Sequence, residues 1–338
     1  MNRSITDIIE EYRKLGIGEQ LDYDKFYLYS IITHSTAIEG STITEVENRL
    51  LFDEGIGAQK PLIEQQMNID LKAAYERSFA LIQTGFDFSI KLLCELSSLV
   101  MKNTGSEYKT ISGNFSAANG DLRLLNVSAG FGGRSYVSWQ KVPERLAKFC
   151  DWLNEERQKI DKAEIEAIYD LSFEAHYRLV NIHPWADGNG RISRLVMNMI
   201  QREFEVVPSI VKKECRKQYI ESLERSEEAD NSDIFKSFML MRHCKNLIEQ
   251  IDEYKSSMED LKEKDDFGSQ KSSQKNQKSS QKIIEMLRND AKITTQEIAE
   301  RLGISRRAVA KTIAKLTADG IIRRVGPDKG GHWEVYDK

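Results

Sequence analysis

The sequence predicts a mainly α-helical protein with one β-hairpin flap, ending in a small helix-turn-helix module with a trailing hairpin. Three observations lead there. Apolar residues recur at helical spacing through the first part of the chain, as in Leu92, Leu93, Leu96, Leu99 and Val100. Glycines break that rhythm between Gly120 and Gln140, where short alternating segments suit a hairpin or extended flap better than a helix. Beyond residue 282, two helical runs flank the turn Leu302-Gly303-Ile304-Ser305.

Taken in order, the helical elements carry their own punctuation. Phe26 to Glu39 places Leu28, Ile31, Ile32 and Ile38 at helical spacing and stops at Gly40, a good terminating residue. Thr44 and Glu47 then form a T-x-x-E capping box that opens a helix over Glu45 to Phe52. Pro143 and Glu144 open another helix, because proline is tolerated in a first helical turn. A further run, Ile165, Ile168, Leu171, Ser172 and Ala175, precedes the helix expected at Ile192 to Phe204.

From Glu263 to Gln281 the chain is rich in Ser, Gln and Lys and nearly free of apolar residues, which marks a linker. The expected division is therefore N-terminal helices over 1–55, a catalytic domain over 56–262, a linker over 263–281 and a C-terminal module over 282–338.

With 338 residues, 40% hydrophobic and 30% charged, the composition fits a globular protein with more than one core and excludes a fibre or a wholly disordered chain. No uncharged apolar run reaches about 18 residues, and Met1 to Glu10 lacks a signal-peptide pattern. A cytoplasmic location and no membrane partner are expected. Cys94, Cys150, Cys215 and Cys244 are widely spaced without a C-x-x-C pair and read as reduced core residues. The net charge of -4 is uneven: residues 282–338 hold 12 Lys/Arg against 8 Asp/Glu, so the two parts are expected to meet different partners.

The chemistry concentrates in His183-Pro-Trp-Ala-Asp-Gly-Asn-Gly-Arg-Ile-Ser-Arg194, a glycine-punctuated loop that feeds a helix. Free N–H groups and the positive dipole end at such a helix start favour an anion, and Gly188 and Gly190 let phosphate oxygens approach without a Cβ in the way. Arg191 and Arg194 add forked donors on neighbouring helix positions, with Ser193 between them and Asn189 just before. Asp187 supplies a carboxylate for Mg²⁺, a metal held by one or two carboxylates together with substrate phosphates. His183 titrates near neutrality and can take a proton from an attacking hydroxyl.

This string resembles the Fic motif, H-P-F-x-D/E-G-N-G-R-x-x-R, with Trp185 in place of the usual Phe. The resemblance implies a helical Fic domain over roughly residues 20–250 and transfer of AMP from Mg-ATP to a Tyr, Thr or Ser hydroxyl of a protein target. On that reading His183 is the general base, Asp187 the Mg²⁺ ligand, Gly188, Asn189 and Gly190 the anion cradle, and Arg191 and Arg194 the phosphate arginines. The family's target-binding flap corresponds to Leu122–Gly130, with Leu125, Asn126 and Val127 on it and Ala129 and Gly130 nearest the nucleotide. Tyr219 is expected to wall the adenine pocket or to pack in the core.

Ser35-Thr-Ala-Ile-Glu39-Gly40 resembles the inhibitory motif S/T-x-x-x-E-G/N of a Fic subclass. Ser35 and Glu39 share a helix face, and a carboxylate brought beside Arg194 would take the place of the γ-phosphate. Removal of AMP, use of other nucleotide or phosphocholine donors, and a regulator that merely senses nucleotide remain open alternatives. The C-terminal module resembles winged-helix domains of bacterial regulators, with Arg306, Arg307 and Lys311 on the second helix facing DNA. Protein contact is its other use, and a homodimer stays open.

Overall fold

The computed structural model describes residues 3–129, 135–268, 273–326 and 331–336, without side chains for 259–279. Helices dominate. Two compact units emerge: residues 1–10 with 26–248, and residues 11–25 with 249–338. They do not follow the expected boundaries, since the stretch 11–25 belongs with the C-terminal unit rather than with the N-terminal helices.

In order, the helices are α1 (Ile5–Lys14), α2 (Tyr23–Ile38), α3 (Glu45–Glu54), α4 (Leu62–Thr84), α5 (Ile90–Val100), α6 (Val142–Lys159), α7 (Ile165–Ile182), α8 (Asn189–Glu203), α9 (Arg216–Glu228) and α10 (Asp233–Gly268). The second unit adds α11 (Ser273–Asn289), α12 (Thr295–Leu302) and α13 (Arg306–Ala318).

The first unit is built around α8, which packs against α4, α5 and α7 and is buried at almost every position from Asn189 to Gln201. A helix enclosed all round must satisfy its polar side chains internally. Asn198 Nδ2 donates to Tyr75 Oη at 2.9 Å, and Gln201 Nε2 donates to Ser172 Oγ and Ser209 Oγ at 2.8 and 3.0 Å. The seat of α2 is polar as well. Asn48 Nδ2 donates to Thr33 Oγ1 at 2.7 Å and to Asn68 Oδ1 at 2.8 Å, while Thr36 Oγ1 donates to the same Asn68 oxygen at 2.8 Å. The expected capping box forms: Thr44 Oγ1 accepts from the Glu47 N–H, and Glu47 accepts from the Thr44 N–H.

Two expectations change. The regular hairpin is not in 120–140 but just before it, β1 (Glu107–Thr110) against β2 (Gly113–Ser116), four-residue strands of which only Phe115 and Ser116 are buried. Within the expected flap the described pairing is one bridge, Ser128 to Ser135, and the Tyr136 N–H bonded to the Val127 carbonyl at 3.0 Å. The supposed linker is helical where described, in α10 as far as Gly268 and in α11 from Ser273. Its Lys, Gln and Glu are good helix formers, and backbone propensity needs no burial. The cysteines are free thiols, but only Cys150 is fully buried; Cys94, Cys215 and Cys244 are half-buried.

In the second unit, α11, α12 and α13 enclose Ile283, Leu287, Ile298, Val309, Ile313 and Trp333, with β3 (Ile322–Val325) pairing antiparallel to β4 (His332–Val335). Of the glycine-rich tip expected at Lys329-Gly330-Gly331, Lys329 and Gly330 lie outside the described residues. Leu21 packs against this core, and Asp22 pairs with Arg306 at 2.7 Å. Among the described residues no helix is long and apolar enough to cross a membrane.

Candidate active site

The loop between α7 and α8 is folded by its own residues. His183 ends α7 in the left-handed region, with a φ of 51°, and its N–H bonds to the Leu179 carbonyl at 3.1 Å. Trp185 is wholly buried, and its indole N–H donates to the Gly120 carbonyl at 3.1 Å. Asn189 brackets Trp185: Oδ1 accepts from the Trp185 N–H at 3.1 Å and Nδ2 donates to its carbonyl at 2.8 Å. The side chain of Asn189 is therefore a loop clamp, and what the residue offers an anion is its backbone N–H in the first turn of α8.

Glycine is required at two points. Gly188 caps α8 with a φ of 83°, and an added Cβ would come within 2.7 Å of Met101 Sδ. At Gly190 a Cβ would meet Glu39 Oε1 at 2.6 Å and Arg194 Nη1 at 3.1 Å, so its missing side chain makes the space that Glu39 fills.

Arg194 is the hub. Only 3% exposed, it pairs with Glu39 Oε1 at 2.6 Å through Nη2. Nε donates to Ser35 Oγ at 2.9 Å, Nη2 also donates to the Ser35 carbonyl at 2.9 Å, and Nη1 reaches Tyr219 Oη at 3.4 Å. Burial works to raise the carboxyl of Glu39, but Arg194, with help from Arg191 and Arg216, outweighs it and holds the group below its usual range. Glu39 is thus ionised at neutral pH. Arg216 also holds the end of α2, its Nε donating to the Ile38 carbonyl at 2.7 Å, a contact that spacing alone does not announce.

Arg191 contrasts with Arg194. Nη2 lies 3.0 Å from Met101 Sδ and 3.6 Å from Asp187 Oδ1, while Nε and Nη1 are buried with no acceptor. A buried guanidinium with two unanswered donors suits an anion arriving at the start of α8. Asp187 is exposed, its side chain at 60%, so its carboxylate stands beside that position and open to a hydrated divalent cation. Among the described residues no three His, Cys, Asp or Glu side chains form a group that could hold a metal ion.

His183 Nδ1 lies 3.2 Å from the Val180 carbonyl, which assigns the proton to Nδ1 and leaves Nε2 with its lone pair. Burial pushes the imidazole down to about 4; Arg123 acts in the same direction, and the Val180 hydrogen bond, Asp187 and Glu39 oppose it. The ring of Tyr136 stacks on the imidazole at 3.9 Å.

Two expected site residues, Ser193 and Arg306, sit elsewhere. Ser193 is fully buried, with Oγ inside the protein and no partner, because its helix position faces the interior rather than the loop. Tyr219 is 2% exposed and bonds to His176 Nε2 at 2.8 Å, so it backs Arg194 within the core, the second of its two expected places. Arg306 is held by Asp22 and by Thr295 Oγ1 at 3.2 Å, which takes it away from a DNA-facing role; Arg307, Lys311 and Lys315 are exposed at successive helical turns. Leu125, Asn126, Val127 and Ala129 lie on the flap, and Gly130 is outside the described residues. Sequence reading missed Arg123, Tyr136, Met101 and His176. Only Arg123 left a sign, as a lone cation among Leu122, Leu124 and Leu125.

A helical domain with an anion-accepting helix start, a neutral histidine beside it and a carboxylate already on the arginine defines the class of site. Residues 87–201 match the Fic/DOC family, and residues 277–323 match "Winged helix-turn-helix DNA-binding". It is 30% identical over 234 residues to protein adenylyltransferase fic-1 of Caenorhabditis elegans, covering 66% of this chain and 41% of that protein. The chain spans about two fifths of the length of the curated relatives it matches. Its fold is shared with a Fic domain containing signaling protein from Bacteroides thetaiotaomicron (TM-score 0.61, 19% identity, 75% of this chain and 98% of that one). A Fic family protein from Desulfovibrio desulfuricans matches along the whole chain (TM-score 0.58, 19% identity, 97% of that chain).

The low proton affinity of His183 is open to direct measurement. Titrated by NMR, its ring should be neutral at pH 7 and protonate with a midpoint near 4; a midpoint at the ordinary 6.5 would mean the imidazole is not buried as described.

Proposed function

We propose that this protein transfers AMP from Mg-ATP to a Tyr, Thr or Ser hydroxyl of a protein target, and that Glu39 restrains it. One observation carries the reading: beside a neutral imidazole, one buried arginine has two donors without an acceptor while the next is held by a carboxylate from another helix. Nε2 of His183 takes the hydroxyl proton as the oxygen attacks the α-phosphorus. The bond from the α-phosphorus to the bridging oxygen breaks, and pyrophosphate leaves. Arg191, Arg194 and the first N–H groups of α8 hold the phosphates, and Asp187 would hold a Mg²⁺ ion that would spread their charge.

Glu39 acts by occupation. Its Oε1 fills the gap above Gly190 and takes the Nη2 donor of Arg194, so a nucleotide arriving there loses a phosphate contact and its alignment for in-line attack. The ion pair persists across the neutral range. Because the Glu39 carboxyl lies below its ordinary value, the pair is fully present above that value and is lost only as pH falls through the lowered one.

The winged helix is proposed to contact DNA through Arg307, Lys311 and Lys315, a reading favoured by their exposure along one face of α13. With few such cations, binding should be salt-sensitive and modest.

Incubated with cell extract and α-labelled ATP, Glu39→Gly should label protein at least about tenfold more than wild type, equivalent to ~1.4 kcal/mol. Adding His183→Ala should remove roughly 10²–10⁴-fold, the range of a general base. Equal labelling by wild type and Glu39→Gly would refute the brake. In a gel shift, DNA should be retarded at low salt and released as salt rises; no shift at low salt would leave the winged helix as a protein-contact module.

A further inference from the structure

Among the described residues, Arg123 is the one fully buried arginine of the first unit that lies outside the 183–194 motif. It is 1% exposed, and its hydrogen bonds run to main-chain carbonyls. Nε donates to the carbonyl of His183 at 2.7 Å, Nη1 to Leu125 at 2.8 Å, and Nη2 to Val137. Its own N–H donates to the Pro184 carbonyl at 3.0 Å. Leu125 and Val137 stand on the two legs of the flap, so one planar fork joins both legs to the residue expected to act as base.

An unpaired buried cation is a costly way to fill space, and an apolar side chain would fill it better. What a guanidinium adds is geometry: several N–H donors fixed in one plane, which an ammonium cannot reproduce. The flap needs such a brace. Its described legs share one bridge, Ser128 to Ser135, one Tyr136-to-Val127 bond and an Asn126 Oδ1 contact with the Trp139 N–H at 3.0 Å, and a two-stranded ribbon of this size is marginal by itself. The brace also bears on the imidazole. Val137 directly follows Tyr136, whose ring stacks on His183 at 3.9 Å, so Arg123 fixes the main chain on both sides of that stack.

The geometry points to Arg123 as the positioning residue that locks the flap to the catalytic histidine, so that a target strand laid along the flap presents its hydroxyl to Nε2. This rests on the AMP-transfer reading above. It does not involve nucleotide binding, which the residues at the start of α8 carry. Arg123 touches no reacting atom; it sets the distance between the flap edge and the base, where a displacement of about 1 Å is enough to cost ~10²-fold in rate.

The test uses the full chain in the Glu39→Gly background, comparing Arg123 with Arg123→Lys. Three quantities are read: affinity for the α,β-methylene analogue of ATP by calorimetry, labelling of the extract proteins that Glu39→Gly labels, and hydrogen exchange at the Tyr136 amide. The expected result is analogue affinity within about twofold, labelling reduced by about tenfold or more, and faster exchange at Tyr136. Unchanged labelling overturns the assignment. So does a parallel loss of analogue binding and labelling, which would make Arg123 a general support of the fold. If Glu39→Gly with Arg123 intact labels nothing, the AMP-transfer reading fails instead, and unaltered exchange at Tyr136 would then still refute the brace.

Discussion

A guanidinium left 3% exposed in a protein interior needs an anion, and in this fold the anion that answers Arg194 is Glu39, 155 residues earlier in the chain. The pair joins the end of α2 to the second turn of α8. Everything at the site is arranged around it: Gly190 provides room for the carboxylate, Ser35 supplies two more acceptors from the same face of α2, and Tyr219 closes the remaining side with His176 behind it. A phosphate that took this guanidinium would satisfy the same buried charge. Competition between carboxylate and phosphate therefore follows from burial itself.

For such a brake to hold, α2 must keep its register. Its underside is built from Thr33, Thr36, Asn48 and Asn68, bonded in a directional network, whereas an apolar seat would tolerate sliding. Arg216 fixes the last carbonyl of the helix at Ile38, and Thr36 with Gly40 turns the chain away at once. The helix is thus held at its face and at its end, and its position relative to α8 is set by hydrogen bonds rather than by fit alone.

Much of this was legible in the residues. The glycines and arginines of 183–194 announced a helix start open to anions, and the i, i+4 relation of Ser35 and Glu39 put both on one face, where both now meet Arg194. Side-chain direction was not legible. Ser193 and Tyr219 have residue types that suit a nucleotide, yet their helix positions aim them inward, and Asn189 spends its amide on Trp185. What holds the flap was not legible for a related reason: glycine placement suggested a hairpin or extended flap, but not that the segment is held from beneath by Arg123, a long-range brace that leaves no local period in the sequence. In the segment read as a linker, poor burial said little about the helices that Lys and Gln can form without it.

The account stands or falls on what Arg194 holds when Glu39 is gone. A crystal structure of Glu39→Gly with a non-hydrolysable ATP analogue and Mg²⁺ should show the Arg194 guanidinium turned onto a phosphate oxygen above Gly190, with the α-phosphorus facing Nε2 of His183. Phosphates bound away from the start of α8, with Arg194 still engaged only by Ser35 and Tyr219, would contradict it.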